Sequence, residues 1–245
     1  MVFYSHGENK PMDLSGKRVL ITGAAKRIGA EIARDLASAG CRVIIHYHTS
    51  QSEAEKLAAV LPGSGHTVIR ADLSSSDGVE NLLDQAGKFE LLVNSAAVFF
   101  RPGSPEDTAA ASLYEKVNFL APKRLLEYFA GQGLAEGAAV NITDAFALLP
   151  GQGAYWQSKR SLNELTKKLA LPWAEKNLRI NAVAPGPVLP PPWAPESRME
   201  KILKLVPLKR PVKVADIAGL VNFLLRCSTA TGNIVALDGG ISAVS

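Results

Sequence analysis

The sequence predicts one α/β domain built on a doubly wound, seven-stranded parallel sheet with helices on both faces. Three observations carry this. Seven short runs rich in β-branched residues or leucine alternate with longer segments of helical spacing. The runs are apolar almost throughout, as strands covered on both faces are. No Pro/Gly/Ser-rich linker divides the 245 residues, and their 47% hydrophobic content can fill a substantial core.

In chain order, the opening MVFYSHGENKPMD lacks the charged start and continuous apolar stretch of a signal peptide. Residues 1–13 are expected to be a poorly ordered extension ahead of a domain at 14–245. RVLIT (18–22) is the first strand, followed by the turn TGAAKRIG (22–29). AEIARDLASAG then repeats apolar residues at helical spacing and stops at Gly40, as a helix with a glycine after its end should. The remaining strands are RVIIHYH (42–48), HTVIRADL (66–73), ELLVNSA (90–96), AAVNIT (138–143), RINAVAP (179–185) and NIVALDGG (233–240). YWQSKRSLNELTKKLAL reads as a helix with Leu162, Leu165 and Leu169 along one side, which Pro172 should end or kink. From Pro185 to Pro195, six prolines impose a stiff, extended loop.

Lys and Arg exceed Asp and Glu by 27 − 23 = 4, an excess that suits a phosphorylated small ligand but is too diffuse for a nucleic-acid surface. The densest basic stretch, Arg198 to Lys213, reads as a solvated face. Two cysteines far apart, Cys41 and Cys227, fit reduced, buried structural thiols better than a disulfide or a metal site. No apolar run is long enough to span a bilayer. A soluble protein of the reducing cytoplasm, with no metal, membrane or nucleic-acid partner, is expected.

A glycine after the first strand lets the backbone turn tightly, and the N–H groups opening the next helix then face a pyrophosphate. Gly23 makes that turn and Gly29 lets the helix pack closely on the sheet. Taken alone, this pattern fits a plain strand-to-helix turn as well as a cofactor site. Arg27 stands where such turns carry a second glycine. NAD-binding versions end their second strand on an acidic residue that accepts from the ribose hydroxyls. This one ends His46-Tyr47-His48-Thr49-Ser50, with hydrogen-bond donors and partial positive charge but no carboxylate, which favours NADP(H). Tyr155 and Lys159 stand four apart, hence on one helix face. An ammonium beside a phenol lowers its pKa toward the range where it exchanges protons near neutrality.

The ordered landmarks GKRVLITGAAKRIG, LLVNSAA, VNFLAP, VNITD, YWQSK, RINAVAPG and VALDGG resemble the short-chain dehydrogenase/reductases over nearly the whole chain. The Arg-containing turn, HYHTS and the aspartate of VNITDA look like the pteridine reductase branch, which includes bacterial dihydromonapterin reductases. The resemblance implies a Rossmann-type domain, a homotetramer, an NADPH/NADP+ cofactor and a small-molecule substrate.

It also implies roles. Tyr155 would donate the proton, Lys159 would lower its pKa and bond the nicotinamide ribose, and Asn118 would support the proton relay. Asp144 would replace the catalytic serine of the wider family, orienting a pterin nitrogen or feeding the proton transfer. Phe99 would sandwich a pterin against the nicotinamide. Arg27 would reach over the cofactor phosphates toward the substrate edge, with Lys26 near the ribose phosphate or solvent. Asp72 and Leu73 would meet the adenine. Ile28, Asn94, Ser95, Ala96, Thr143, Pro185, Gly186 and Val188 would complete the cofactor contacts, Val188 through its backbone to the carboxamide.

Three departures bear on these roles. The stretch from Asp144 to Tyr155 is a couple of residues shorter than in pteridine reductases, which leaves Thr143 as a fallback for the serine role. NSAA loses an amide at Ser95 and a hydroxyl at Ala97. Pro190 stands where many relatives have a threonine that holds the carboxamide. Two other readings stay open: a carbonyl reductase of a 3-oxoacyl thioester or another ketone, and a catalytically silent NADP(H)-binding protein.

Overall fold

A computed structural model describes residues 10–243 except 152, 192 and 195. Seven parallel strands, β1 (Arg18–Thr22), β2 (Arg42–Tyr47), β3 (Thr67–Arg70), β4 (Leu91–Asn94), β5 (Gly137–Ile142), β6 (Leu178–Pro185) and β7 (Ile234–Leu237), form one sheet in the order β3-β2-β1-β4-β5-β6-β7. The helices are α1 (Arg27–Ser38), α2 (Gln51–Val60), α3 (Ser76–Ala86), α4 (Pro105–Ala109), α5 (Ala111–Glu115), α6 (Ala121–Gly131), α7 (Ala154–Ala174), α8 (Glu196–Leu203) and α9 (Val214–Arg226). A π-helical turn occupies Lys116–Leu120, and 3-10 turns occupy Ala145–Leu148 and Ile241–Ala243.

The apolar strands are covered on both sides, as their composition requires. Ile32 and Leu36 of α1, Leu57 of α2 and Val221 of α9 close one face with Val19, Ile21 and Ile45. Leu82 of α3, Leu125 and Phe129 of α6 and Trp173 of α7 close the other with Leu20, Leu92 and Ile180. The chain order reverses between β1 and β4, whose register pairs Thr22 with Asn94. Their ends therefore open side by side, at the position where sheets of this type bind ligands.

Several expectations are corrected. Pro172 does not end α7, which continues through it to Ala174. Within the extension expected at 1–13, residues 1–9 lie outside the described residues, but Met12 is buried and its N–H donates to Arg226 O at 2.8 Å. Cys41 is buried, its thiol pushed up to about 12 mainly by desolvation, whereas Cys227 is only partly covered. In the basic stretch, Lys201, Lys204, Lys209 and Arg210 are exposed, while Val206 is buried beside Ala145 and Ile241 and anchors the segment.

Candidate active site

A cavity of about 720 Å³ opens where β1 and β4 part. Its walls include eleven of the residues assigned to the cofactor from sequence: Gly23, Lys26, Arg27, Ile28, Gly29, His46, His48, Asp72, Leu73, Ser95 and Ala96. The turn is packed so that only glycine fits. A Cβ on Gly23, at φ +65°, would lie 2.8 Å from Ala96 Cα, and one on Gly29 would run into Gly23 O. Thr22, overlooked in the sequence although it precedes the glycine, ties the two strand ends: its Oγ1 accepts from the N–H groups of Ser95 and Ala96 at 3.0 and 3.1 Å.

The second strand end divides by its alternation. Tyr47, expected at the cofactor, has its ring in the core instead. His46 lines the cavity but carries no positive charge. Its Nδ1 accepts from Gly23 N–H at 3.1 Å, so Nε2 donates to Ala71 O at 3.2 Å, and burial lowers its pKa to about 4. It is a neutral strut beneath the turn. His48 remains exposed, 3.9 Å from Asp72 Oδ2, while Asp72 Oδ1 accepts from Ser74 N–H at 2.9 Å. Thr49 is exposed and Ser50 stands at the N-terminus of α2 with no cap bond from its hydroxyl; neither lines the cavity. Lys26 is paired with Glu53 at 2.9 Å, both half-exposed. Asn94 is buried, bonded through Nδ2 to Asn141 Oδ1 at 2.9 Å, with its own Oδ1 lacking a partner among the described residues.

Arg27 keeps the turn that a glycine would make by adopting φ +55°. Its guanidinium crosses to the proline-rich loop, donating to Leu189 O at 3.1 Å and Pro190 O at 3.2 Å. Pro190 has lost a threonine's hydroxyl but offers this carbonyl. Arg27→Gly is expected to be neutral to stability or to gain up to about 1 kcal/mol from relieved backbone strain, while affinity for NADPH and NADH falls alike, because both carry the pyrophosphate beneath this turn, and KM for the substrate rises. Thermal unfolding and titration with both cofactors check this; unchanged cofactor and substrate affinity would make Arg27 an incidental surface charge.

At the chemical end, α7 presents Tyr155 and Lys159, both buried. Tyr155 Oη donates to Asp144 Oδ2 at 3.2 Å, and Asp144 Oδ1 accepts from Phe146 N–H at 2.8 Å, capping the 3-10 turn at 145–148. That turn takes up the shortened segment and brings Asp144 to the tyrosine. Thr143, the fallback, donates to Val183 O at 3.3 Å.

The electrostatics correct the sequence reading. Lys159 Nζ donates to Ile142 O at 2.9 Å, and burial lowers its pKa to about 8. Tyr155 is not made acidic: desolvation first, then the Asp144 charge, hold its phenol well above the ordinary value. Burial raises Asp144 to about 6, opposed by the Phe146 bond and the Lys159 charge. The phenol is therefore a proton-loaded acid whose nearest titrating neighbour is Asp144.

Asn118, on the π-turn, makes no direct hydrogen bond to Tyr155 among the described residues. Its Oδ1 accepts from Val98 N–H at 2.9 Å and its Nδ2 donates to Val98 O and Ser158 Oγ, which clamps the loop after β4 onto α7. Phe99, carried by that loop, lies on Tyr155 with ring centroids 4.4 Å apart. Pro185 ends β6, Gly186 N–H donates to Leu237 O at 3.0 Å, and Val188 packs against the core; none of the three lines the cavity.

Further aromatic residues with no role assigned above gather around Tyr155. Tyr114 stands edge-on to Tyr155 at 5.7 Å, donates to Asp107 Oδ1 at 2.6 Å and accepts from Phe100 N–H at 3.1 Å. Trp156 and Trp193 flank Phe99 at 6.3 and 5.8 Å.

The family model described as Enoyl-(Acyl carrier protein) reductase matches residues 23–242. The chain belongs to the short-chain dehydrogenase/reductase family. Pteridine reductase 1 of Leishmania tarentolae is 33% identical, over 91% of this chain and 95% of its own. L-xylulose reductase of Bos taurus is 32% identical, over 94% and 98%. Among solved structures, FolM alternative dihydrofolate reductase 1 of Brucella canis, complexed with NADP, superposes with a TM-score of 0.85 at 32% identity, covering 95% of this chain and 96% of that one. This short-chain dehydrogenase/reductase is thus similar to sugar and pteridine enzymes alike, and its substrate must be argued from its own site. Among the described residues, no helix is long and apolar enough to cross a membrane, and no cluster of His, Cys, Asp and Glu could hold a metal ion.

Proposed function

We propose that this protein is an NADPH-dependent reductase of a pteridine-type substrate such as a dihydropterin. The observation that carries the reading is the Asp144 carboxyl hydrogen-bonded to the Tyr155 hydroxyl at 3.2 Å. A ketone needs only one proton donor at its oxygen. A ring rich in N–H and amine groups also calls for an acceptor, and a carboxyl beside the phenol supplies both functions. The similarity to a pteridine reductase and to the FolM alternative dihydrofolate reductase supports it.

The residues present fit a dinucleotide phosphate. The glycine cradle lets backbone N–H groups approach a pyrophosphate, and Arg27 leans over the same turn. For the ribose phosphate, His48, Thr49 and Ser50 offer donors at the N-terminus of α2, with Lys26 held nearby by an exposed ion pair that costs little to exchange. When bound, the cofactor supplies the hydride for the substrate carbon. Lys159, anchored on Ile142, would hold the nicotinamide ribose. Tyr155 gives its proton to the adjacent substrate nitrogen, and Asp144 reloads the phenol. Phe99 must swing off Tyr155 to admit a flat ring, and then becomes one wall of its slot.

The experiment is a comparison of NADPH oxidation with dihydrobiopterin and with an acetoacetyl thioester. Preference for the thioester would instead favour a carbonyl reductase, and tight NADPH binding without turnover on either would favour a silent binding protein.

A further inference from the structure

The proline-rich loop, which no motif explains, delivers Trp193 to the substrate end. Its ring meets Phe99 at 5.8 Å and an interplanar angle of 51°, while Phe99 covers Tyr155. When Phe99 moves aside for a substrate, the indole is the next aromatic surface. The indole Nε1 is buried with no hydrogen-bond partner among the described residues, an uncommon condition for a donor that must give up its water. A ligand acceptor would satisfy it.

Arg198 of α8 lies over the same ring, its Cζ 4.7 Å from the centroid. Lys26, Arg34 and Arg124 each face a carboxylate, whereas among the described residues no carboxylate pairs with Arg198. Stacking leaves the guanidinium N–H groups free at its edge.

We propose that Trp193 and Arg198 form a recognition subsite for flat heteroaromatic substrates that carry an anionic substituent. The indole stacks on the ring and donates to one of its acceptors. The guanidinium holds a carboxylate extending from the ring's far edge. The inference rests on the pteridine reading and narrows it from simple dihydropterins to those with a charged tail.

Dihydrofolate and dihydrobiopterin share the ring and differ in the tail, so their ratio of kcat/KM isolates Arg198. The wild-type enzyme is expected to favour dihydrofolate. Arg198→Met, which keeps the aliphatic stem, should raise KM for dihydrofolate about five- to tenfold and leave dihydrobiopterin within about twofold. Arg198→Lys should recover part of the loss. Trp193→Phe should raise KM for both substrates alike with kcat retained. A parallel titration of folate into the protein with NADP+, followed by calorimetry, reads the subsite without turnover. Weakening of folate binding by Arg198→Met supports the subsite even if neither dihydropterin is reduced, an outcome that would overturn only the reaction assigned above. Unchanged folate affinity, or equal losses on both substrates, would overturn the subsite itself.

Discussion

Tyr155→Phe is expected to lower kcat by about 10²–10⁴-fold, the usual worth of a positioned proton donor, while NADPH affinity stays within about twofold, because a hydroxyl used only in the transition state adds nothing to ground-state binding. The ring's packing is kept. Phenylalanine still meets Phe99 and Tyr114, and only the bond to Asp144 Oδ2 disappears. Single-turnover kinetics with fluorescence titration of NADPH separate the two effects. Retained turnover would remove Tyr155 from the chemistry, and a large loss of cofactor affinity would show that the site had collapsed.

Asp144→Asn should separate activity from stability. Burial raises this carboxyl from 3.8 to about 6. If its proton reloads Tyr155, kcat for reduction is level below about pH 6 and falls above it as the carboxyl ionises. The amide cannot pass that proton, so kcat should drop by about 10²-fold and the limb near pH 6 should vanish. Stability moves the other way. The folded state holds the proton more tightly than the unfolded chain, so this group's stabilisation is full below pH 3.8 and lost as pH rises through about 6. Above that, a partly covered carboxylate costs about 1–3 kcal/mol. An asparagine still accepts from Phe146 N–H and carries no charge. The variant is therefore expected to melt higher than wild type at pH 8, with little difference at pH 4. A pH limb that survives the substitution would assign the titration elsewhere.

The sheet was legible because each strand is an uninterrupted apolar run between turn signals, and the seven runs fall within a few residues of the observed strands. Pro172 misled for a local reason. The carbonyl it leaves unbonded belongs to exposed Lys168, where water can serve it, and the last turn is held by buried Trp173 stacked on Phe129 at 5.3 Å. At the site, Gly23, Gly29 and Tyr155 were readable from motif and spacing, whereas Asp144 came from the resemblance alone, against a shortened spacing to Tyr155. Which faces Tyr47 and His46 take, and therefore which one can touch a ligand, depends on where the sheet is covered. The direction of the Tyr155 shift was misread because four residues of spacing show the lysine but not the burial or the Asp144 contact that outweigh it. Tyr114 and Trp193 escaped notice because aromatic clusters assembled from distant segments leave no periodic trace.

The pteridine assignment is tested most directly by initial rates of NADPH and NADH oxidation, measured side by side with dihydrobiopterin and an acetoacetyl thioester. Faster oxidation of NADPH than NADH, with the pterin and not the thioester, is the expected result. Turnover of the thioester with the pterin inert would contradict it.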